Sequence, residues 1–424
     1  MENGLKLPLL ILLTLFPAIA WSEEVKPPAE DLKILVAVAV GNNPELKSSV
    51  ARWQMFKNRA AQAGALDDPM LVLKIQNGVV TDPLNFHKEP MTGKVIGLSQ
   101  KLPFWGKRGL REEMATEEAD SYRWAVEERK VELIRMVKEA WYRLYFIDKA
   151  TVIVDKNVRI LDDFVSLTET RYSVSQGSQT DVLKAQLARS KLIDLRITLE
   201  QQRRTAQANL NTLMYRPAET PVGTIPDFDI TTLALSDKEL REIAYGSRPM
   251  IKSLTALVGK GETRLKLADK EFYPDFSFSL EYMQRDPVMG SDGNDMYSLG
   301  LAFNLPVQRA RRHAAVAESN SEITMATEEL SNLKNDINFG VSDILGQLDK
   351  RKKLVELYKT GIIPQAEETL ESTAINYRVS KVDFLTLLDS QMTLFNYERE
   401  YYDSLADYQM KLAQLEALVG KELH

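Results

Sequence analysis

The residues that could do chemistry are few and scattered. Three histidines, His87, His313 and His424, lie far apart and lack the short spacing of a zinc site. Cysteine is absent, which excludes thiol catalysis, thiolate ligation of metals and disulfides. Fourteen methionines could offer soft thioethers to a cation such as Cu(I), but no Met-x-x-Met run gathers them, and packing roles are favoured. Gly259-Lys260-Gly261 sits in a stretch of helical character, not in a strand-to-helix turn, and is no phosphate cradle. The expectation is a protein without catalytic residues, metal ligands or cofactor, and therefore not an enzyme. A net charge of −6 gives no electrostatic footprint for nucleic acid.

Function must then reside in architecture, and the architecture is written twice. Pro44-Glu45-Leu46-Lys47-Ser48 returns as Pro249-Met250-Ile251-Lys252-Ser253, and Pro69 returns as Pro274. Tyr172, Val174, Ser175, Leu183 and Gln186 return as Tyr377, Val379, Ser380, Leu388 and Gln391, all at one offset of 205. A period of about half the chain is too long for a solenoid and implies a duplicated half. Residues 216–235, with Pro217, Pro221 and Pro226, read as the linker between the copies.

At the N-terminus, Lys6, the apolar run Leu7 to Phe16 and the small-x-small triplet Ala18-Ile19-Ala20 have the form of a secretory signal, residues 1–20. Cleavage is expected after Ala20 or after Ser22. The chain is expected to be exported and, lacking cysteine, not lipid-anchored. A mean hydropathy of −0.26 excludes a polytopic helical membrane protein.

Each half carries two alternating runs. Phe276, Phe278, Leu280 and Tyr282 alternate with Ser277, Ser279, Glu281 and Met283. Tyr297, Leu299, Leu301, Phe303 and Leu305 alternate with Ser298, Gly300, Ala302 and Asn304. The first half has weaker counterparts around Leu71 to Ile75 and Ile96 to Leu98. In an exported protein this pattern fits strands with lipid on one side and water on the other, though a soluble sandwich would alternate likewise. The surroundings are very long helices. From Gly106 to about Arg171 there is no proline, and Val131, Ile134, Val137, Trp141, Leu144 and Ile147 recur at helical steps. Gln308 to about Arg378 mirrors this rod, with Pro364 expected to kink or reset it. Short polar turns send each rod back, a coiled-coil arrangement.

The order helix, strand, loop, strand, long helix, turn, helix, twice over, resembles the TolC family of outer-membrane efflux channels across the mature chain. The residues that carry it are Asn43-Pro44-Glu45-Leu46, Gly97 to Pro103 leading into Gly106-Lys107-Arg108, and Tyr172 to Gly177 followed by Asp181 to Gln186. In the second half they are Tyr377 to Ser380 and Leu387 to Gln391. Pro103 to Gly109 looks most like members serving heavy-metal pumps of the resistance–nodulation–division (RND) type.

The resemblance implies a mainly α fold with a β-barrel part. Three copies would form a twelve-stranded outer-membrane barrel continued by a periplasmic α-helical barrel. The expected layout is a first repeat over 21–215 (strands 68–77 and 94–103, helices 106–172 and 180–214) and a second over 236–424 (strands 273–284 and 295–306, helices 308–379 and 383–419). It also implies a homotrimer in outer-membrane lipid, a periplasmic adaptor and an inner-membrane RND or ABC transporter as partners. Family matching places the aperture at Asp181 and Asp389, with Thr386 where a second acidic residue is usual. Asp181 could equally cap its helix. Val174, Ser175, Gly177, Val379 and Ser380 would form the adaptor-docking tips. The implied function is a passive exit duct of a tripartite efflux pump for metal ions or small toxic molecules. A type I secretion duct shares the fold, and a soluble periplasmic coiled-coil adaptor is the reading from another class.

Overall fold

The structure, a computed structural model, describes residues 31–230 and 233–423. The expected signal segment and residues 231 and 232 of the linker lie outside the described residues.

Proline punctuation sets the short helices. Helix α1, Leu32–Asn42, stops where Pro44 has no N–H to extend it. Asn43 then caps α2, Pro44–Ala63, its side chain accepting from the Glu45 and Leu46 N–H groups. The second copy repeats the break: α5, Asp237–Ser247, gives way to α6, Pro249–Lys270. Gly259 to Gly261 lie inside α6.

Helix α3, Lys107–Ser173, runs 67 residues, about 100 Å at 1.5 Å per residue. It returns as α4, Gln179–Leu213. The second rod is not continuous. Helix α7, Arg309–Leu357, passes through a π-helical turn at Tyr358–Ile362 into α8, Ile363–Arg378, and returns as α9, Phe384–Val419. Pro364 explains the turn. It cannot donate to the Thr360 carbonyl, and its ring needs room there; the Ile363 N–H reaches back five residues to the Tyr358 carbonyl and opens the helix by one residue. The proline resets the rod without ending it.

Four antiparallel strands form one sheet in the order β1, Met70–Gln76; β2, Gly93–Leu102; β3, Phe276–Arg285; and β4, Met296–Phe303. The last strand stops short of the expected residue 306. Pro306 has no N–H for a ladder, and Leu305 is left exposed beyond the strand end.

The core is a seam between rods. Leu133, Val137, Leu144, Ile147, Val154 and Leu161 of α3 are at most 1% exposed and face Leu192 and Leu199 of α4 and Phe384 and Leu387 of α9. Spacings of three, four and seven keep one stripe inward along the rod. Val131 and Ile134 are only half-buried; Leu133 occupies the core instead, and the other two line an open groove between α1 and α9.

Candidate functional site

The middle of the sheet sorts its side chains by face. Pairing aligns Leu71, Leu98, Leu280 and Leu299 in one cross-strand row, and Leu73, Ile96, Tyr282 and Tyr297 in the next. Every residue of these rows is between 46% and 75% exposed. The opposite face carries Gly97, Ser99, Ser279, Glu281, Ser298 and Gly300. There Lys74 of β1 reaches over β2 to Glu281 of β3 at 2.8 Å. Gly97 leaves the path clear, since a Cβ on it would stand 2.9 Å from the Glu281 Cγ. The two rows are wholly apolar, bordered on the same face by Lys94, Gln284 and Gln100, and so broad an apolar patch with no protein against it is unusual in a monomer surrounded by water. Strands β1 and β4 each keep one unpaired edge.

Below the strands, Lys107 ties the two repeats together. It is fully buried, and its ammonium donates to Asp275 at 2.9 Å, the Tyr273 carbonyl at 3.0 Å and Glu271 at 3.4 Å. Burial alone would raise the Asp275 carboxyl, but the Phe104 N–H and the Lys107 ammonium outweigh it and hold the group below its ordinary value.

At the far end of the rods the two hairpin tips share one backbone. Ser175 and Ser380 both sit in the left-handed region at φ 59°. The Gln176 N–H closes onto the Arg171 carbonyl at 2.8 Å, and the Lys381 N–H onto the Asn376 carbonyl at 2.9 Å, one offset of 205 apart. The tip residues Val174 and Val379 are 57% and 60% exposed. Ser175 and Ser380 are exposed, and Gly177 is half-buried with Arg171 against it.

The returning helices start differently. Ser178 caps α4, and Asp181 completes a capping box by accepting from the Ser178 N–H at 3.3 Å. Asp383 caps α9, taking the Thr386 N–H at 2.9 Å and the Thr386 hydroxyl at 2.6 Å. Those two bonds, aided by nearby Lys184, hold the Asp383 carboxyl below its ordinary value. Asp389 stands exposed one turn beyond Thr386, and among the described residues no hydrogen bond or salt bridge engages its carboxylate. Of the three aperture residues named from sequence, then, Asp181 and Thr386 serve helix starts and Asp389 is uncommitted.

Sequence reasoning missed the ties between hairpins. Arg171 donates from Nη2 to the Arg378 carbonyl at 3.1 Å and the Ser380 hydroxyl at 3.2 Å, and its guanidinium lies 4.3 Å from the Tyr377 ring centroid. Higher up, the Gln391 amide donates to the buried Asn157 side chain at 2.6 Å, joining α9 to α3. Only the Asp383-x-x-Thr386 cap had a local signal that could have found it.

Residues 35–214 match the family described as outer membrane efflux protein. The outer membrane efflux protein BepC of Brucella suis is 22% identical over 258 residues. The cobalt-zinc-cadmium resistance protein CzcC of Cupriavidus metallidurans is 24% identical over 263 residues. Each alignment covers 60% of this chain and 56% of the relative, so the chain spans just over half the length of the curated relatives it matches. Among solved structures, the outer membrane protein VceC of Vibrio cholerae superposes on 93% of this chain and 97% of its own with a TM-score of 0.79 at 16% identity, a likeness of fold. The TolC-family resemblance is thereby borne out over residues 35–214, which match the outer membrane efflux protein family, and the fold across most of the chain is that of VceC.

Proposed function

We propose that the chain is the outer-membrane channel of a tripartite efflux pump: a homotrimer that forms a passive exit duct for metal ions or small toxic molecules. One observation carries the reading. Two uncovered cross-strand rows, apolar at every position, stand between two unpaired strand edges. In lipid such edges cannot be left open, and single-chain barrels begin at about eight strands. With four alternating strands, β4 of one copy runs antiparallel to β1 of the next, so copies join without a mismatch. Three copies give twelve strands with Lys74, Glu281 and the small residues lining water.

In this reading the rods continue the duct through the periplasm, and the tips bearing Val174, Ser175, Gly177, Val379 and Ser380 receive an adaptor that couples the duct to an inner-membrane RND or ABC transporter. Asp389 supplies the acidic ring at the aperture, three copies per trimer. The heavy-metal assignment of cargo draws support from the Pro103 to Gly109 motif and from CzcC, a resistance protein for cobalt, zinc and cadmium.

Single-channel recording in planar bilayers tests this. Wild type should give a low-conductance, cation-preferring pore, and Asp389→Ala should weaken the preference while the pore persists. No channel at all, with a monomer recovered free of detergent, would reject the duct.

A further inference from the structure

At the lower margin of the apolar face, where strands meet helices, a cavity of about 750 Å³ opens onto the surface. Its walls are Leu66, Leu102, Phe104, Trp105, Phe276 and Leu301. Leu102, Phe276 and Leu301 belong to the same face as the leucine row, so the cavity continues the uncovered apolar surface. Leu102 and Phe276 lie on β2 and β3, the strands whose neighbours on both sides are within this chain. Trp105 is 75% exposed, its indole at the level where strands give way to helices.

The floor is charged in both senses. Arg108 donates from Nε and Nη2 to the Gly64 carbonyl at 2.9 and 2.8 Å. That bidentate grip fixes the guanidinium plane and leaves Nη1 without a protein acceptor among the described residues. Glu112, one helical turn on, lines the same cavity, and among the described residues its carboxylate makes no hydrogen bond or salt bridge. A guanidinium with no carboxylate partner and a carboxylate with no partner among the described residues, one turn apart below an apolar channel, match a zwitterionic headgroup better than a single charge.

We propose that this cavity binds one glycerophospholipid of the periplasmic leaflet, and that the lipid is an amine-bearing one. Its phosphate accepts from Arg108 Nη1, its ammonium faces Glu112, and an acyl chain lies along Leu102, Phe276 and Leu301. Trp105 sits beside the glycerol, as tryptophans do at membrane interfaces. This rests on the membrane-facing reading of the sheet.

Native mass spectrometry of the detergent-purified channel, with phosphatidylethanolamine or phosphatidylglycerol added, tests it. Wild type should retain one phosphatidylethanolamine per protomer and prefer it to phosphatidylglycerol. Glu112→Gln, which breaks no bond in the protein, should abolish or invert that preference. Arg108→Gln should weaken retention of both lipids about tenfold or more, the scale of one charge-assisted hydrogen bond. Equal retention of the two lipids by wild type, or an unchanged preference in Glu112→Gln, overturns the site. Bilayer recordings on the same preparations separate the two readings: conducting wild type with no lipid preference loses only the lipid site, whereas no conductance removes the membrane reading beneath it.

Discussion

The two hairpins descend from one sequence, yet each solves the same packing problem with different side chains. The first is an unbroken rod, α3, returning as α4. The second crosses a π turn before Pro364. Tyr172 and Tyr377 occupy matching positions, but Tyr172 is 50% exposed while Tyr377 is 4% exposed beneath the Arg171 guanidinium. Gln186 and Gln391 match too. Gln186 reaches the exposed Glu169 at 3.4 Å, whereas Gln391 is buried against Asn157 at 2.6 Å. Duplication preserved the backbone of the tips and released the side chains to specialise. The first hairpin supplies the clamp, Arg171, and the second the surface it grips.

Moving the proline should give the largest break in this comparison. Arg159 of α3 occupies the position that matches Pro364. Arg159→Pro should destabilise by about 3 kcal/mol or more, because no π turn is prepared there, while Pro364→Ala should cost under about 1 kcal/mol. Thermal unfolding of the two variants in detergent compares them directly. If Arg159→Pro is tolerated as well as wild type, the π turn is not what accommodates the proline.

Next in size is the buried amide pair. Gln391→Ala leaves the Asn157 side chain short of a partner and should cost about 1–3 kcal/mol. Gln186→Ala should stay within about 0.5 kcal/mol, as exposed sites do. Equal losses would mean that burial, the feature separating these twins, has no energetic weight.

The clamp comes third. Arg171→Ala removes one stacked cation and two hydrogen bonds, about 1–2 kcal/mol of attachment between tips. Bilayer recordings should show a higher conductance or more frequent openings than in wild type. Asn376→Ala, the matching position in the other hairpin, should leave conductance unchanged.

The smallest effect concerns the helix caps. The Asp383 carboxyl is held below its ordinary value, so its contribution is complete above the usual carboxylate range near pH 4 and is lost as pH falls through the lowered value. Asp383→Asn should therefore flatten the acid end of the stability profile below about pH 4. A profile identical to wild type would show that the Asp383 cap is not among the groups setting acid stability.

Much of the fold was legible because its signals are periodic and local. Alternation marked Phe276 to Tyr282 as a strand, since a period of two needs no knowledge of neighbours. A stretch free of proline with apolar residues at helical steps marked α3. The strand end at Phe303 was misjudged because the apolar pattern runs on through Leu305 while the hydrogen-bond ladder does not. Val131 and Ile134 belong to the helical apolar pattern read from sequence, but α1 and α9 do not close over them.

The candidate site was legible in part. Asp181 was read as cap or gate with equal weight, and the capping box accounts for its carboxylate, as the Asp383 cap accounts for Thr386. Arg171, Tyr377 and the Asn157–Gln391 pair gave no warning, because their partners lie 206 and 234 positions away in the chain.

Sequence by itself determined the duplication, the alternating strands and the long helices, since each is a repeat or a period that the chain carries along its own length. Only the tertiary structure decided that Tyr377 and Gln391 are buried while Tyr172 and Gln186 are not, and that, among the described residues, the Asp389 carboxylate stays free and Arg108 and Glu112, neither in a salt bridge, share one cavity. Those outcomes depend on which rod lies against which, and two copies of one sequence never meet the same neighbours.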